Sequence, residues 1–221
     1  MNNKNFYFFD LDGTMIDSKK GIIHALLFAL EGYDISVENP EEELTRFIGP
    51  PLRDSFQKYY HFSRMQADLA VERYREYYQE KGMLENDVYP GIPALLAGLK
   101  QQGQTLLVAT SKPTVFSEEI LKAHQLDQYF SFVSGATLNG VRDSKKEVLA
   151  HAIASCGLKE PQRAAMIGDR MFDIRAAKEL GLCSVGVSYG YGSREELTQA
   201  GADAIADSVA ELSLIVCKKN G

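Results

Sequence analysis

The stretch Phe8-Phe9-Asp10-Leu11-Asp12-Gly13-Thr14 ends the first apolar run of the chain and sets two carboxylates two residues apart where that run stops. Side chains alternate faces along a strand. Asp10 and Asp12 are therefore predicted to project together from the end of a buried strand over Phe6 to Leu11. Two like charges that close repel unless a cation sits between them or one keeps its proton. Gly13 permits an abrupt turn that a residue with a Cβ would resist.

Working outward, short apolar runs alternate with helical patterns from Gly103 onward: Leu106 to Ala109, Phe132 to Ser134, Ala165 to Ile167, Ser184 to Val187, and Ala204 to Ala206. That alternation predicts an α/β fold, a parallel sheet wrapped by helices, to which the first strand also belongs. Helix starts are marked by Pro113 just inside one helix. Capping boxes mark three more, pairing Ser144 with Glu147, Ser193 with Glu196, and Ser208 with Glu211. Residues 18–86 differ, with helical periodicity and almost no strand signal. They predict an all-helical insertion with helices over roughly 18–32, 40–47, 52–60 and 63–81. Tyr89-Pro90-Gly91 punctuates the return before a helix over roughly 92–102.

At 221 residues and 45% hydrophobic content, the chain can bury one sizeable core and carry one smaller module. A net charge of −6, with no cluster of Lys and Arg, argues against a nucleic-acid partner. No run is long enough for a membrane span, and the apolar run Phe6 to Phe9 is too short for a secretory leader, so no membrane partner is expected. The odd cysteine count (Cys156, Cys183 and Cys217, with no CxxC pair) suits a reducing compartment and predicts a cytoplasmic location.

Three later segments lie where strands end, the edge at which open parallel sheets bind ligands. Thr110-Ser111 offers a hydroxyl and turn amides to phosphate oxygens. Lys145 opens the Ser144 helix, where its ammonium and the positive helix end suit an anion. Gly168-Asp169-Arg170-Met171-Phe172-Asp173 adds two acids. Asp10, Asp12, Asp169 and Asp173 bring up to four negative charges that Lys145 alone cannot balance. A hard divalent ion can, and Mg²⁺ favours carboxylate and water oxygens. His24, His61, His124 and His151 are scattered without ligand spacing and are read as ordinary surface or core residues.

These four segments, in this order, resemble the four motifs of haloacid dehalogenase-superfamily phosphatases, and the resemblance spans nearly the whole chain. It implies a Rossmann-like catalytic core from residues 1–17 and 87–221 and a helical cap over 18–86. It further implies that Asp10 attacks phosphorus to form an aspartyl phosphate, and that Asp12 protonates the leaving oxygen and later activates water. Thr110, with Ser111 beside it, and Lys145 would bind the phosphate and neutralise its charge. Asp10, the Asp12 carbonyl and Asp169 would hold Mg²⁺, and Asp173 would support the metal site. Neighbouring carboxylates favour a proton on Asp12, while Mg²⁺ and Lys145 oppose it.

Phe47-Ile48-Gly49-Pro50-Pro51-Leu52 resembles the substrate loop of capped members, with Gly49 at its centre and Arg46 and Arg53 flanking it. Tyr74, Tyr77 and Tyr78 fall at helical spacing and are read as packing. Tyr189-Gly190-Tyr191-Gly192 reads as a plain glycine-rich loop. The expected function is Mg²⁺-dependent hydrolysis of a small phosphate ester. The resemblance leans to the 5'-nucleotidase-like branch, with phosphoglycolate phosphatase or a sugar phosphomutase as alternatives. A dehalogenase would lack the second acid, and a receiver domain would be shorter and have no insertion.

Overall fold

The computed structural model of the chain describes residues 5–217. In chain order the elements begin with β1 (Phe6–Phe9), β2 (Ile16–Asp17), α1 (Lys19–Glu31), α2 (Pro40–Leu44), α3 (Leu52–Tyr60), α4 (Arg64–Glu80) and β3 (Asp87–Val88). They continue with α5 (Ile92–Gln101), β4 (Thr105–Pro113), α6 (Thr114–Ala123), β5 (Phe132–Ala136), α7 (Lys145–Ser155) and β6 (Ala164–Gly168). The last are α8 (Met171–Glu179), β7 (Cys183–Val187), α9 (Arg194–Ala200), β8 (Ala204–Ala206) and α10 (Val209–Val216). The described residues divide into two compact units: one holds the chain up to Ile16 and from Val88 onward, the other Asp17–Asp87.

The first unit is built on a parallel six-stranded sheet in the order β5-β4-β1-β6-β7-β8. β1 is central, and the chain runs outward from it in one direction through β4 and β5 and in the other through β6, β7 and β8. That reversal of strand order is where ligands of such sheets bind. Phe9 lies opposite both Val108 of β4 and Ile167 of β6. Asp10 and Asp169 directly follow the ends of β1 and β6, whereas Thr110 and Ser111, expected just beyond the strand Leu106 to Ala109, lie within β4, which runs on to Pro113.

Successive β1 residues face opposite ways and both faces are covered, which explains the unbroken apolar run. Phe8 is fully buried with Leu107 and Met166 against Val148 and Leu149 of α7 and Ala176 and Ala177 of α8. On the other face, Tyr7 donates its hydroxyl to the carbonyl of Val216 in α10 at 3.1 Å, and Phe9 meets Phe130 edge-on at 6.2 Å. Complete burial of one such aromatic stabilises the fold by about 1.5–3 kcal/mol.

In the second unit, α4 packs against both α1 and α3. Ser63 and Gln66 form a full capping box at the start of α4. Tyr74 and Tyr78 stack at 5.4 Å on its buried side, and Tyr77 meets Phe28 of α1 at 5.6 Å. Phe47, Phe56 and Phe62 form an aromatic cluster, with centroids 5.3 Å and 5.8 Å apart along it.

Several expectations need correction. β1 ends at Phe9, not Leu11, because the chain turns: the amides of Thr14, Met15 and Ile16 all donate to the carbonyl of Leu11. The helix expected over 40–47 breaks at Leu44 and finishes as a 3₁₀ turn over Thr45–Phe47. Pro113 caps α6 from outside. Of the three boxes expected from Ser144 onward, only Ser144–Glu147 is reciprocal. Ser193 and Ser208 each accept the amide three residues on, but the carboxylates of Glu196 and Glu211 bond elsewhere.

No helix of the described residues is long and apolar enough to cross a membrane. Cys156, Cys183 and Cys217 are free thiols.

Candidate active site

The turn after β1 gives Asp10 and Asp12 separate surroundings. Asp10 Oδ1 accepts the amide of Leu11 at 2.8 Å, and Oδ2 lies 2.7 Å from Lys145 Nζ. Lys145 Nζ also lies 2.9 Å from Asp173 Oδ1 and donates to the carbonyl of Ala109 at 3.2 Å. Two carboxylates and one carbonyl thus surround a single buried ammonium. Burial works against the Lys145 charge, but the carboxylates of Asp10 and Asp173 outweigh it and hold its pKa above the ordinary lysine value. Lys146, by contrast, is exposed and pairs with Glu179 at 2.8 Å.

Asp12 does not share that lysine. Its Oδ2 lies 3.0 Å from Lys112 Nζ, with side-chain exposures of 15% and 5%. Lys145 is therefore not the only cation at this edge, and the charge count from sequence overstated the acid excess. Lys112 was in view directly after Thr110-Ser111, but its residue type alone did not distinguish it from a solvated lysine. Its amide donates to Thr110 Oγ1 at 3.3 Å. Thr110 is buried and Ser111 half-buried beside it.

Asp169 and Asp173 flank the start of α8. Asp173 Oδ2 accepts the amide of Arg170 at 3.1 Å, and Asp169 Oδ2 accepts the amide of Tyr191 at 2.8 Å. Burial, followed by the charges of Asp10 and Asp173, pushes the Asp169 pKa well above the usual carboxylate range. Burial also pushes Asp173 up to about 6, against the pull of Lys145. Gly13, at φ +75°, passes so close that a Cβ there would overlap the Asp169 carboxylate and the Tyr191 ring.

Asp10, Asp169 and Asp173 each offer a carboxylate oxygen, and these oxygens lie within 4.8 Å of one another. All three residues are buried, and Asp169 Oδ1 and Asp12 Oδ1 have no hydrogen-bond partner. Three converging hard oxygen donors without His or Cys fit a hard divalent cation, which would also relieve the mutual repulsion that raises Asp169.

Two further expected positions, Gly49 and Arg53, belong to the other unit, Asp17–Asp87. Arg53 is engaged by Asp68, and the Arg46 guanidinium lies over the Tyr59 ring at 4.1 Å. Two of the histidines have local partners: His24 Nδ1 lies 2.7 Å from Glu85 Oε2, and His151 Nδ1 lies 3.0 Å from Ser134 Oγ. Sequence reasoning passed over Tyr189-Gly190-Tyr191-Gly192. Besides the Tyr191 amide on Asp169, the Tyr189 hydroxyl donates to the carbonyl of Thr14 at 2.9 Å.

The profile of the haloacid dehalogenase-like hydrolase family matches residues 7–187. A 5'-nucleotidase of Pseudomonas aeruginosa is 43% identical over 190 residues, 86% of this chain and 85% of that protein. The tyrosine-protein kinase PtkA of Mycobacterium tuberculosis is 38% identical over 83% of this chain, and the match spans 62% of that protein's length. A phosphoglycolate phosphatase of Aliivibrio fischeri is 31% identical, with 94% of each chain covered. The crystal structure of a predicted phosphatase from Clostridium acetobutylicum matches with a TM-score of 0.93 at 46% identity, covering 96% of this chain and 98% of that one.

The chain belongs to the haloacid dehalogenase-like hydrolase family and has its α/β fold. Within that family it is a phosphatase.

Proposed function

We propose that the chain is a Mg²⁺-dependent phosphomonoesterase working through an aspartyl phosphate, with nucleoside 5'-monophosphates as its preferred class of substrate. The observation that carries this reading is the buried trio Asp10, Asp169 and Asp173, with Lys145 bonded to two of its members. Asp10, Asp169 and the carbonyl of Asp12 hold the ion, and Asp173 supports the site. When bound, Mg²⁺ supplies positive charge against the acids and an anionic phosphoryl group.

In the first step an Asp10 carboxylate oxygen bonds to phosphorus as the ester P–O bond breaks, and Asp12 gives its proton to the departing alkoxide. In the second, Asp12 takes a proton from water as the water oxygen bonds to phosphorus. The acyl–phosphate P–O bond breaks, releasing inorganic phosphate and restoring the Asp10 carboxylate. Thr110, Ser111 and Lys145 bind and neutralise the phosphoryl oxygens, so most of the rate gain comes from positioning and charge.

The helical unit Asp17–Asp87 serves as the substrate-selecting cap, with Gly49 in its loop and Arg53 in the first turn of α3, and the enzyme works in the cytoplasm. The nucleotide preference draws on the 43% identity to a protein named 5'-nucleotidase. Phosphoglycolate is the second reading, favoured by the relative of that name matched over 94% of each chain.

The test is phosphate release from nucleoside monophosphates, phosphoglycolate and hexose phosphates, compared as kcat/KM, with EDTA and then with Mg²⁺ restored. Highest kcat/KM for a nucleoside 5'-monophosphate, lost in EDTA, is the expected result. Turnover undiminished by EDTA would overturn the metal assignment, and isomerisation of a hexose phosphate without phosphate release would point to a mutase.

A further inference from the structure

We propose that Tyr189–Glu196, the segment running from the loop after β7 into α9, is a positioning clamp that fixes one Asp169 oxygen and presents the other to the divalent ion.

The clamp holds the Asp169 strand end at three places. First, the Tyr191 amide donates to Asp169 Oδ2 at 2.8 Å, while Asp169 Oδ1 is buried and has no hydrogen-bond partner. A carboxylate held by one oxygen and unpaired at the other is oriented toward whatever occupies the trio. Second, the loop backbone presses against Asp169. A Cβ on Gly190 would overlap the carbonyl of Gly13, and would come within 2.6 Å of Asp169 Cβ and 2.7 Å of Oδ2. One on Gly192 would overlap the Asp169 carbonyl. No side chain fits at Gly190 unless both Gly13 and Asp169 shift, or at Gly192 unless Asp169 shifts.

Third, Glu196 Oε1 accepts both the Arg170 Nε–H at 2.9 Å and the Met171 amide at 2.8 Å. Glu196 thereby ties down the turn between Asp169 and Asp173 and caps α8 from outside. This explains the half-formed box on α9. Ser193 Oγ still accepts the Glu196 amide at 3.1 Å, but the Glu196 carboxylate serves the neighbouring helix instead of its own. Groups that orient a metal-holding carboxylate change metal affinity by about 10–100-fold when removed.

The inference rests on the reading that Asp10, Asp169 and Asp173 bound a divalent-ion site, and the experiment separates the two. Metal-stripped parent, Glu196→Ala, Glu196→Gln, Gly190→Ala, Asp169→Asn and Lys146→Ala are titrated with Mn²⁺, reading the free ion by electron paramagnetic resonance. Melting curves are taken alongside. The dissociation constant should rise about tenfold or more in Glu196→Ala and Gly190→Ala. Glu196→Gln, which keeps an acceptor oxygen, should stay within about threefold, and Lys146→Ala should match the parent. At saturating Mg²⁺, kcat of Glu196→Ala should recover to within about threefold of the parent, because Glu196 acts only through Asp169.

If Gly190→Ala does not fold, Glu196→Ala decides the matter, since it retains the amide that caps α9. Unchanged Mn²⁺ affinity in Glu196→Ala, with or without a lowered Tm, overturns the clamp while leaving the metal reading intact. A parent that binds no Mn²⁺, or an Asp169→Asn variant that binds as well as the parent, overturns the metal reading and the clamp with it.

Discussion

Lys112 Nζ stands 3.0 Å from Asp12 Oδ2, so the second acid of the opening pair has a lysine of its own. Asp10 and Asp12, near neighbours in sequence, are each held by a cation from a different part of the chain: Asp12 by Lys112 and Asp10 by Lys145. Lys112→Met removes that hold. It should lower kcat by about 10–100-fold with a smaller effect on KM, and Lys112→Arg should restore part of the loss. Steady-state kinetics on the best substrate of the screen check this. Equal kcat in Met and parent enzymes would show that Asp12 needs no partner.

Asp10→Asn keeps the size of the side chain and removes the charge of the proposed nucleophile. Phosphate release should fall by at least on the order of 10³-fold, while the circular dichroism spectrum stays that of the parent. A folded variant with near-normal kcat would remove Asp10 from the role of nucleophile.

Lys145→Met leaves Asp10 and Asp173 buried and facing each other without their shared cation. Breaking a buried pair in this way costs about 3–5 kcal/mol, so Tm should drop by more than about 6 °C in a protein of this size. Its exposed neighbour gives the contrast: Lys146→Ala should leave Tm within about 2 °C. Similar melting points for the two variants would contradict the burial argument.

Asp169 yields a prediction in pH. Its folded pKa is raised by burial and then by Asp10 and Asp173, so the native metal-free protein keeps a proton that the unfolded chain releases near 3.8. The native state then binds more protons than the unfolded state, and stability from this group falls as pH climbs from there through the raised value. Asparagine carries no such penalty. In EDTA, the Tm of Asp169→Asn relative to the parent should therefore be higher at pH 8 than at pH 4, and Mg²⁺ should narrow the gap at pH 8 by stabilising the parent alone. A gap that stays constant with pH would rule out this origin.

The parallel sheet was legible because burial on both faces makes each strand a continuous apolar run, as Leu106 to Ala109 and Ala165 to Ile167 illustrate. Lys145 was separable from Lys146 only through the resemblance, since their sequence neighbourhoods are nearly the same. What could not be read were contacts made by the backbone or between distant segments. Tyr191 acts through an amide that every residue except proline carries, and Glu196 looked like a partner for Ser193 when its carboxylate was committed to Arg170 and Met171. The alternation argument for Asp10 and Asp12 assumed a strand running to Leu11. The amides of Thr14, Met15 and Ile16 instead converge on the Leu11 carbonyl and turn the chain.

The central place of β1 has a consequence for biosynthesis. The strand is synthesised well before its two sheet neighbours, β4 and β6, which begin at Thr105 and Ala164. Pairing across such separations carries a loop-closure penalty that slows folding. A nascent chain halted at Arg163 already contains Asp10 but neither Asp169 nor Asp173. Asp10 thus waits through a long stretch of synthesis for the acids that complete its surroundings.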